Sequence, residues 1–76
     1  MKNNITINQI SNENYDNFGI YILIFEESFY IGCAWNNTFY ERLKTHIKDA
    51  LTGTTNKDKQ LREEGKCDMD ILYILP

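Results

Sequence analysis

Two tyrosines lie next to glycines in one short apolar part of the sequence. Tyr21 ends the triplet Gly19-Ile20-Tyr21, and Tyr30 begins the triplet Tyr30-Ile31-Gly32. Two phenols brought side by side on one small sheet can take part in chemistry. Tyrosine is also favoured in strands, where it most often serves as a core aromatic. The pair therefore indicates either packing or chemistry.

Arg42 and His46 are four residues apart in a stretch with helical periodicity, so their side chains emerge one above the other. A guanidinium is suited to phosphate oxygens because its donors form a fork. Each residue also has a structural interpretation, as a solvated arginine or as a histidine beside the core. We name Gly32 as a substrate-binding candidate because a glycine lets a ligand approach the backbone. Lys44 and Lys48, a second pair four apart that is predicted to face solvent, are the other two candidates.

The charge distribution is uneven. The 76-residue chain has a net charge of −3, which argues against a nucleic-acid partner. All of its basic residues except Lys2 nevertheless lie between positions 42 and 66. A locally basic half can meet phosphates weakly, but a cluster such as that from Lys57 to Lys66 is most often a solvated face.

The elements that must position these residues follow from patterning. Apolar runs at 19–25 and 29–32, separated by Glu26-Glu27-Ser28, predict a hairpin. Thr38-x-x-Glu41 predicts a capping box, and Gly53 predicts the end of that helix. Its apolar stripe consists of Phe39, Leu43, Ile47, Ala50 and Leu51.

The remaining patterns predict a shorter helix at 54–64, closed by Gly65, and a third strand at 68–75. Residues 1–17 are interpreted as an N-terminal extension, in which Ile5 and Ile7 allow a short strand. The sequence thus predicts one α+β domain at 18–76, with a small three-stranded, mainly antiparallel sheet flanked by helices.

Cys33 and Cys67 form no CxxC motif and have no histidine at ligand spacing, so no zinc site is expected. No apolar run approaches the ~18 residues of a membrane helix, and the N-terminus has no apolar signal core. These observations predict a cytoplasmic protein with no membrane partner.

The sequence resembles the GIY-YIG nuclease superfamily, which includes excision-repair nucleases and homing endonucleases. The resemblance lies in the order of its elements: a strand with Gly-Ile-Tyr, a turn, a strand with Tyr-Ile-Gly, a helix with Arg-x-x-x-His, a short helix and a strand. The resemblance covers residues 18–75. It implies hydrolysis of DNA phosphodiester bonds with one bound divalent metal, Mg²⁺ or Mn²⁺. By this resemblance, Tyr30 would activate the attacking water and Tyr21 would orient groups at the site. Arg42 would stabilise charge on the phosphate, and His46 would assist through hydrogen bonds.

The metal ligand is the departure from the family pattern. In the family a glutamate on a helix after the third strand holds the metal, and no residue of this sequence matches that position. Three interpretations stay open: a fragment of a longer nuclease, a minimal member that borrows a carboxylate from a second copy or another domain, and a non-catalytic nucleic-acid-binding or interaction module on the same scaffold.

Overall fold

The computed structural model describes residues 4–9 and 15–76. The fold is α+β, as predicted, and none of the helices in the described part is long and apolar enough to cross a membrane. In chain order the elements are β1 (Thr6–Gln9), β2 (Gly19–Ile24), β3 (Phe29–Ala34), α1 (Phe39–Thr52), α2 (Asn56–Glu64) and β4 (Lys66–Ile74).

The sheet has four strands in the order β1-β4-β2-β3, so the prediction of a three-stranded sheet is wrong. β2 is antiparallel to both β3 and β4, whereas β1 is parallel to β4. β1 lies inside the segment interpreted as an N-terminal extension. It joins the sheet because Ile7, buried opposite Cys67, extends the core by one strand. A four-residue strand with one buried side chain leaves too short an alternation to stand out in the sequence.

The two helices cover one face of the sheet. Along β2 the side chains alternate, with Tyr21 and Leu23 fully buried and Ile24 partly exposed. On the other face, Phe29 and Ile31 are 64% and 52% exposed, so that face has no cover among the described residues. The core lies between sheet and helices and consists of Ile7, Tyr21, Leu23, Phe25, Ala34, Phe39, Leu43, Ala50, Leu61, Cys67 and Met69.

Helix α1 begins and ends where the sequence predicts. The capping box is present: the Thr38 hydroxyl accepts from the Glu41 amide at 3.2 Å, and the Glu41 carboxylate accepts from the Thr38 amide at 2.9 Å. Gly53 ends the helix in an extended conformation. It must be glycine for reasons of space, because a Cβ there would collide with the Asp58 carboxylate.

The inward face of α1 differs from the predicted stripe. Phe39, Leu43 and Ala50 are buried as expected, but Leu51 is 46% exposed and the fully buried side chain between them is His46. The helix is therefore rotated so that an imidazole faces the sheet. This rotation is tolerated because hydrogen bonds satisfy both ring nitrogens of His46.

Candidate active site

Tyr21 occupies the middle of β2 with its ring in the core. Its partner across the antiparallel pair is Gly32 on β3, and a Cβ at Gly32 would collide with the Tyr21 hydroxyl. The group that closely approaches Gly32 is thus the phenol of the neighbouring strand. Gly32, the glycine of the second triplet, therefore makes room for Tyr21, the tyrosine of the first triplet.

His46 brings the tyrosines of both strands together. Its Nε2 is hydrogen-bonded to the Tyr21 hydroxyl, and its ring meets the Tyr30 ring edge-on at a centroid distance of 5.5 Å. Its Nδ1 lies 3.0 Å from the Lys57 ammonium. The imidazole is 1% exposed, so these contacts are made without competition from water.

Lys57 enters this site from α2. Its ammonium forms an ion pair with Asp58 at 2.7 Å and lies 5.5 Å from the centroid of the Tyr30 ring, within range of a cation–π contact. The interpretation of Lys57 as part of a solvated face is therefore wrong. One signal could have found it: Lys57 and Asp58 precede Leu61, the one large apolar residue of α2, by four and three residues, which places all three on one helix face.

Arg42 lies one turn before His46 on α1 and is half-buried. Its guanidinium lies close enough to the Tyr21 hydroxyl to affect the ionisation of that group. Its Nε is buried and has no hydrogen-bond partner among the described residues. Because Nε is buried, only the exposed part of this half-buried side chain is a candidate for binding an anion.

The electrostatics of the site favour neutral Tyr21 and neutral His46. Burial raises the pKa of Tyr21, an effect that the Arg42 guanidinium only partly offsets. Burial, together with the positive charges of Lys57 and Arg42, also lowers the pKa of His46 to about 3, and the Asp58 carboxylate offsets only part of this shift. At neutral pH the two neutral groups lie beside two cations and one carboxylate. The site is locally positive although the chain is acidic.

Tyr21, Tyr30, Arg42 and His46, the four predicted catalytic residues, thus lie together, and with Lys57 we call them the tyrosine–histidine cluster. Lys44 and Lys48 do not join it. Each is exposed and lies two positions from Arg42 or His46, which is about 200° around the helix. The Lys44 ammonium instead lies 5.0 Å from the centroid of the Tyr40 ring.

The cluster is a poor match for Mg²⁺ or Mn²⁺. These ions prefer carboxylate, carbonyl and water oxygens, whereas the cluster offers phenols, a guanidinium, an imidazole and an ammonium. Its one adjacent carboxylate, Asp58, is bound to Lys57. Within residues 4–9 and 15–76, no three His, Cys, Asp or Glu side chains are grouped as potential metal ligands. The described residues therefore do not fit the metal that the sequence resemblance implies.

Comparison with known proteins identifies no relative: no family model, no curated protein and no solved structure matches this chain. The basis for a functional assignment is therefore the chemistry of the cluster. Its buried tyrosine and histidine lie beside a half-buried tyrosine, arginine and lysine, and the cluster is locally positive.

Proposed function

We propose that this chain is an endonuclease domain of the GIY-YIG type, which hydrolyses phosphodiester bonds in DNA. The observation that supports it is the convergence of Tyr21, Tyr30, Arg42 and His46, from β2, β3 and α1, around one hydrogen bond and one aromatic contact. Packing alone would account for apolar side chains at these positions. It does not account for a half-buried arginine whose guanidinium lies next to the buried Tyr21 hydroxyl.

Arg42 and Tyr30 are the two residues that can reach a substrate, since both are half-buried. In the proposed reaction Arg42 donates hydrogen bonds to the non-bridging oxygens of the scissile phosphate and stabilises the charge that develops there. The Tyr30 hydroxyl accepts a hydrogen bond from the water that attacks phosphorus and orients it, and the proton that this water releases is taken up by the leaving oxygen. The phosphorus–oxygen bond to the leaving group breaks, which leaves a phosphate monoester and an alcohol.

Tyr21 and His46 are too deeply buried to contact a long polymer directly, with 0% and 1% of their surfaces exposed. Their role in the proposal is to position Arg42 and Tyr30. The Tyr21 hydroxyl lies next to the Arg42 guanidinium, and the His46 ring supports the Tyr30 ring. Burial of this pair holds the two substrate-facing groups in a fixed geometry.

The proposal requires any divalent ion to be held largely by groups outside the described residues, such as a carboxylate from a second copy of the chain or from another domain. It assigns no step to such an ion. Adding EDTA, Mg²⁺ or Mn²⁺ to the cleavage reaction measures directly how the cleavage rate depends on a divalent ion. Light scattering under the same conditions shows whether activity accompanies self-association.

Cleavage of supercoiled plasmid tests the function. Tyr30→Phe removes the hydroxyl that contacts the water and should reduce the cleavage rate about 100-fold or more. Arg42→Ala removes the phosphate donor and should cost about 100- to 1,000-fold. The matched controls are Tyr40→Phe, an exposed tyrosine on α1, and Lys48→Ala, an exposed cation on the same helix; both should cleave at nearly the original rate.

Equal losses in the target and control variants, or no cleavage with any cation, would contradict the proposal. The second candidate function is a non-catalytic nucleic-acid-binding module. It is favoured because, within the described residues, no set of three or more potential metal ligands lies at the cluster. It predicts DNA binding that weakens steeply with salt, is reduced by Arg42→Ala and is unaccompanied by cleavage. Either function is compatible with the cytoplasmic location that we propose.

A further inference from the structure

Lys57 belongs to neither triplet nor to the arginine–histidine pair, yet its ammonium approaches His46 at 3.0 Å. An ammonium has three donors and no acceptor, so the Nδ1 atom that it meets must be the acceptor. Asp58 accepts from the same ammonium at 2.7 Å, so the lysine donates to both groups. The direction of this hydrogen bond is therefore determined by Lys57.

A neutral imidazole carries one proton, and if Nδ1 accepts, that proton is on Nε2. Nε2 is the atom bonded to the Tyr21 hydroxyl, so the histidine donates and the phenol oxygen accepts. The Arg42 guanidinium beside Tyr21 is also a donor only. With Nε2–H directed at the phenol oxygen, the phenol's own proton must point away from His46.

We propose that Lys57 is a positioning residue that holds His46 in the Nε2–H form, so that His46 donates to Tyr21 and cannot act as its base. The geometry of the three side chains carries this proposal. Its importance for catalysis rests on the proposed function, but the protonation state of His46 can be measured without substrate.

The groups that face His46 come from every element packed against it. They are Tyr21 on β2, Tyr30 on β3, Arg42 on α1 itself, and Lys57 and Asp58 on α2. Lys57 is the one whose hydrogen bond reaches Nδ1. Removing it should leave the Asp58 carboxylate free to accept from an Nδ1–H and let the Tyr21 hydroxyl donate to Nε2.

His46 is the one histidine of the chain, so a two-bond ¹H–¹⁵N correlation spectrum of the full chain shows its ring alone. We expect a pyrrole-type Nε2 and a pyridine-type Nδ1 across pH 5–8. The opposite pattern, or a doubly protonated ring at pH 7, would overturn the proposal with no variant needed.

Lys57→Met should shift the ring toward the Nδ1–H form and raise the measured pKa of His46 by about one unit or more. Lys57→Arg, which keeps a cation without acceptors, should restore the original spectrum, and Lys59→Met on the exposed side of α2 should not change it. If the ring of His46 in Lys57→Met keeps its proton on Nε2, Lys57 does not determine which nitrogen is protonated. If Lys57→Met does not fold, the spectrum of the unaltered protein still tests the proposal, because an Nδ1–H ring there would overturn it.

A cleavage assay separates this proposal from the proposed function. Loss of the rate in Lys57→Met with recovery in Lys57→Arg supports both. Absence of cleavage in the unaltered protein, together with the expected spectra, refutes the nuclease and leaves the role of Lys57 intact. Unchanged cleavage in Lys57→Met overturns the importance of Lys57 for catalysis.

Discussion

A neutral histidine between two cations connects the stability of the fold to pH. Folded His46 has a pKa of about 3, whereas an unfolded histidine binds its proton near pH 6.5. Below about pH 6.5 the unfolded chain therefore holds one more proton than the folded chain, and this difference favours unfolding. The stability contributed by a neutral His46 is present above that pH and is lost progressively as the pH falls toward 3.

We therefore expect the free energy of unfolding to fall by up to about 1.4 kcal/mol for each pH unit below 6. Urea denaturation at pH 5.0, 6.0 and 7.0 measures this slope in a range where most carboxylates are ionised. In His46→Gln the slope should nearly disappear, while the control Lys48→Gln should retain it. An unchanged slope in His46→Gln would show that another group takes up the proton.

Helix α2 is polar along most of its length, and one leucine attaches it to the core. Leu61 is 1% exposed, and polar contacts support it: among them, the Ser28 hydroxyl donates to the Gln60 side-chain oxygen at 2.6 Å, and Arg62 donates to the Ala50 carbonyl at 2.7 Å. Because α2 carries Lys57, the attachment of this helix also determines the position of the ammonium at His46. The stability of α2 and the geometry of the site are thus coupled.

Leu61→Ala should destabilise the protein by about 2–5 kcal/mol, since it leaves a cavity under α2. The matched control is Leu51→Ala on α1, where the side chain is 46% exposed and the loss should be under about 1 kcal/mol. Urea denaturation measures both. Similar losses in the two variants would mean that Leu61 does not hold α2 in place.

The sequence predicted those elements whose signals are local. The hairpin, the Thr38 cap and the Gly53 and Gly65 ends each depend on residues within a few positions of one another, and the structure confirms them. The strand pairing of β1 and the inward position of Lys57 depend on contacts with distant residues. Such tertiary contacts override local pattern and propensity.

The candidate site likewise has a part that the sequence predicted and a part that it did not. The triplets and the Arg42–His46 spacing identified four of its members, because these residues are close in sequence. The depth of His46 could not be predicted, since an apolar stripe with Ile47 and Leu51 inward fits the same helix. The hydrogen bonds from Tyr21 and Lys57, which come from two other elements, allow the imidazole to take the buried position.

At the scale of the whole molecule, the sheet is arranged around β4. This strand pairs with β1 on one side and with β2 on the other; β2 is the second internal strand, and β1 and β3 are the edges among the described residues. We expect the amides of residues 67–71 to exchange with deuterium only through global unfolding, and those of β1 to exchange faster through local opening. Hydrogen exchange read by NMR checks this order; equal rates in β1 and β4 would contradict it.

The central position of β4 also has a consequence for synthesis of the protein. Of the four strands β4 is made last, and the residues that it joins to β1 are 60 positions apart, as in the Asn8–Asp68 pair. A nascent chain that has not reached Lys66 can close the β2–β3 hairpin and begin α1, but β1 and one edge of β2 have no partner. Unpaired apolar edges of this kind are sites of aggregation and chaperone binding. On the ribosome, therefore, the time of greatest exposure comes just before the last strand emerges.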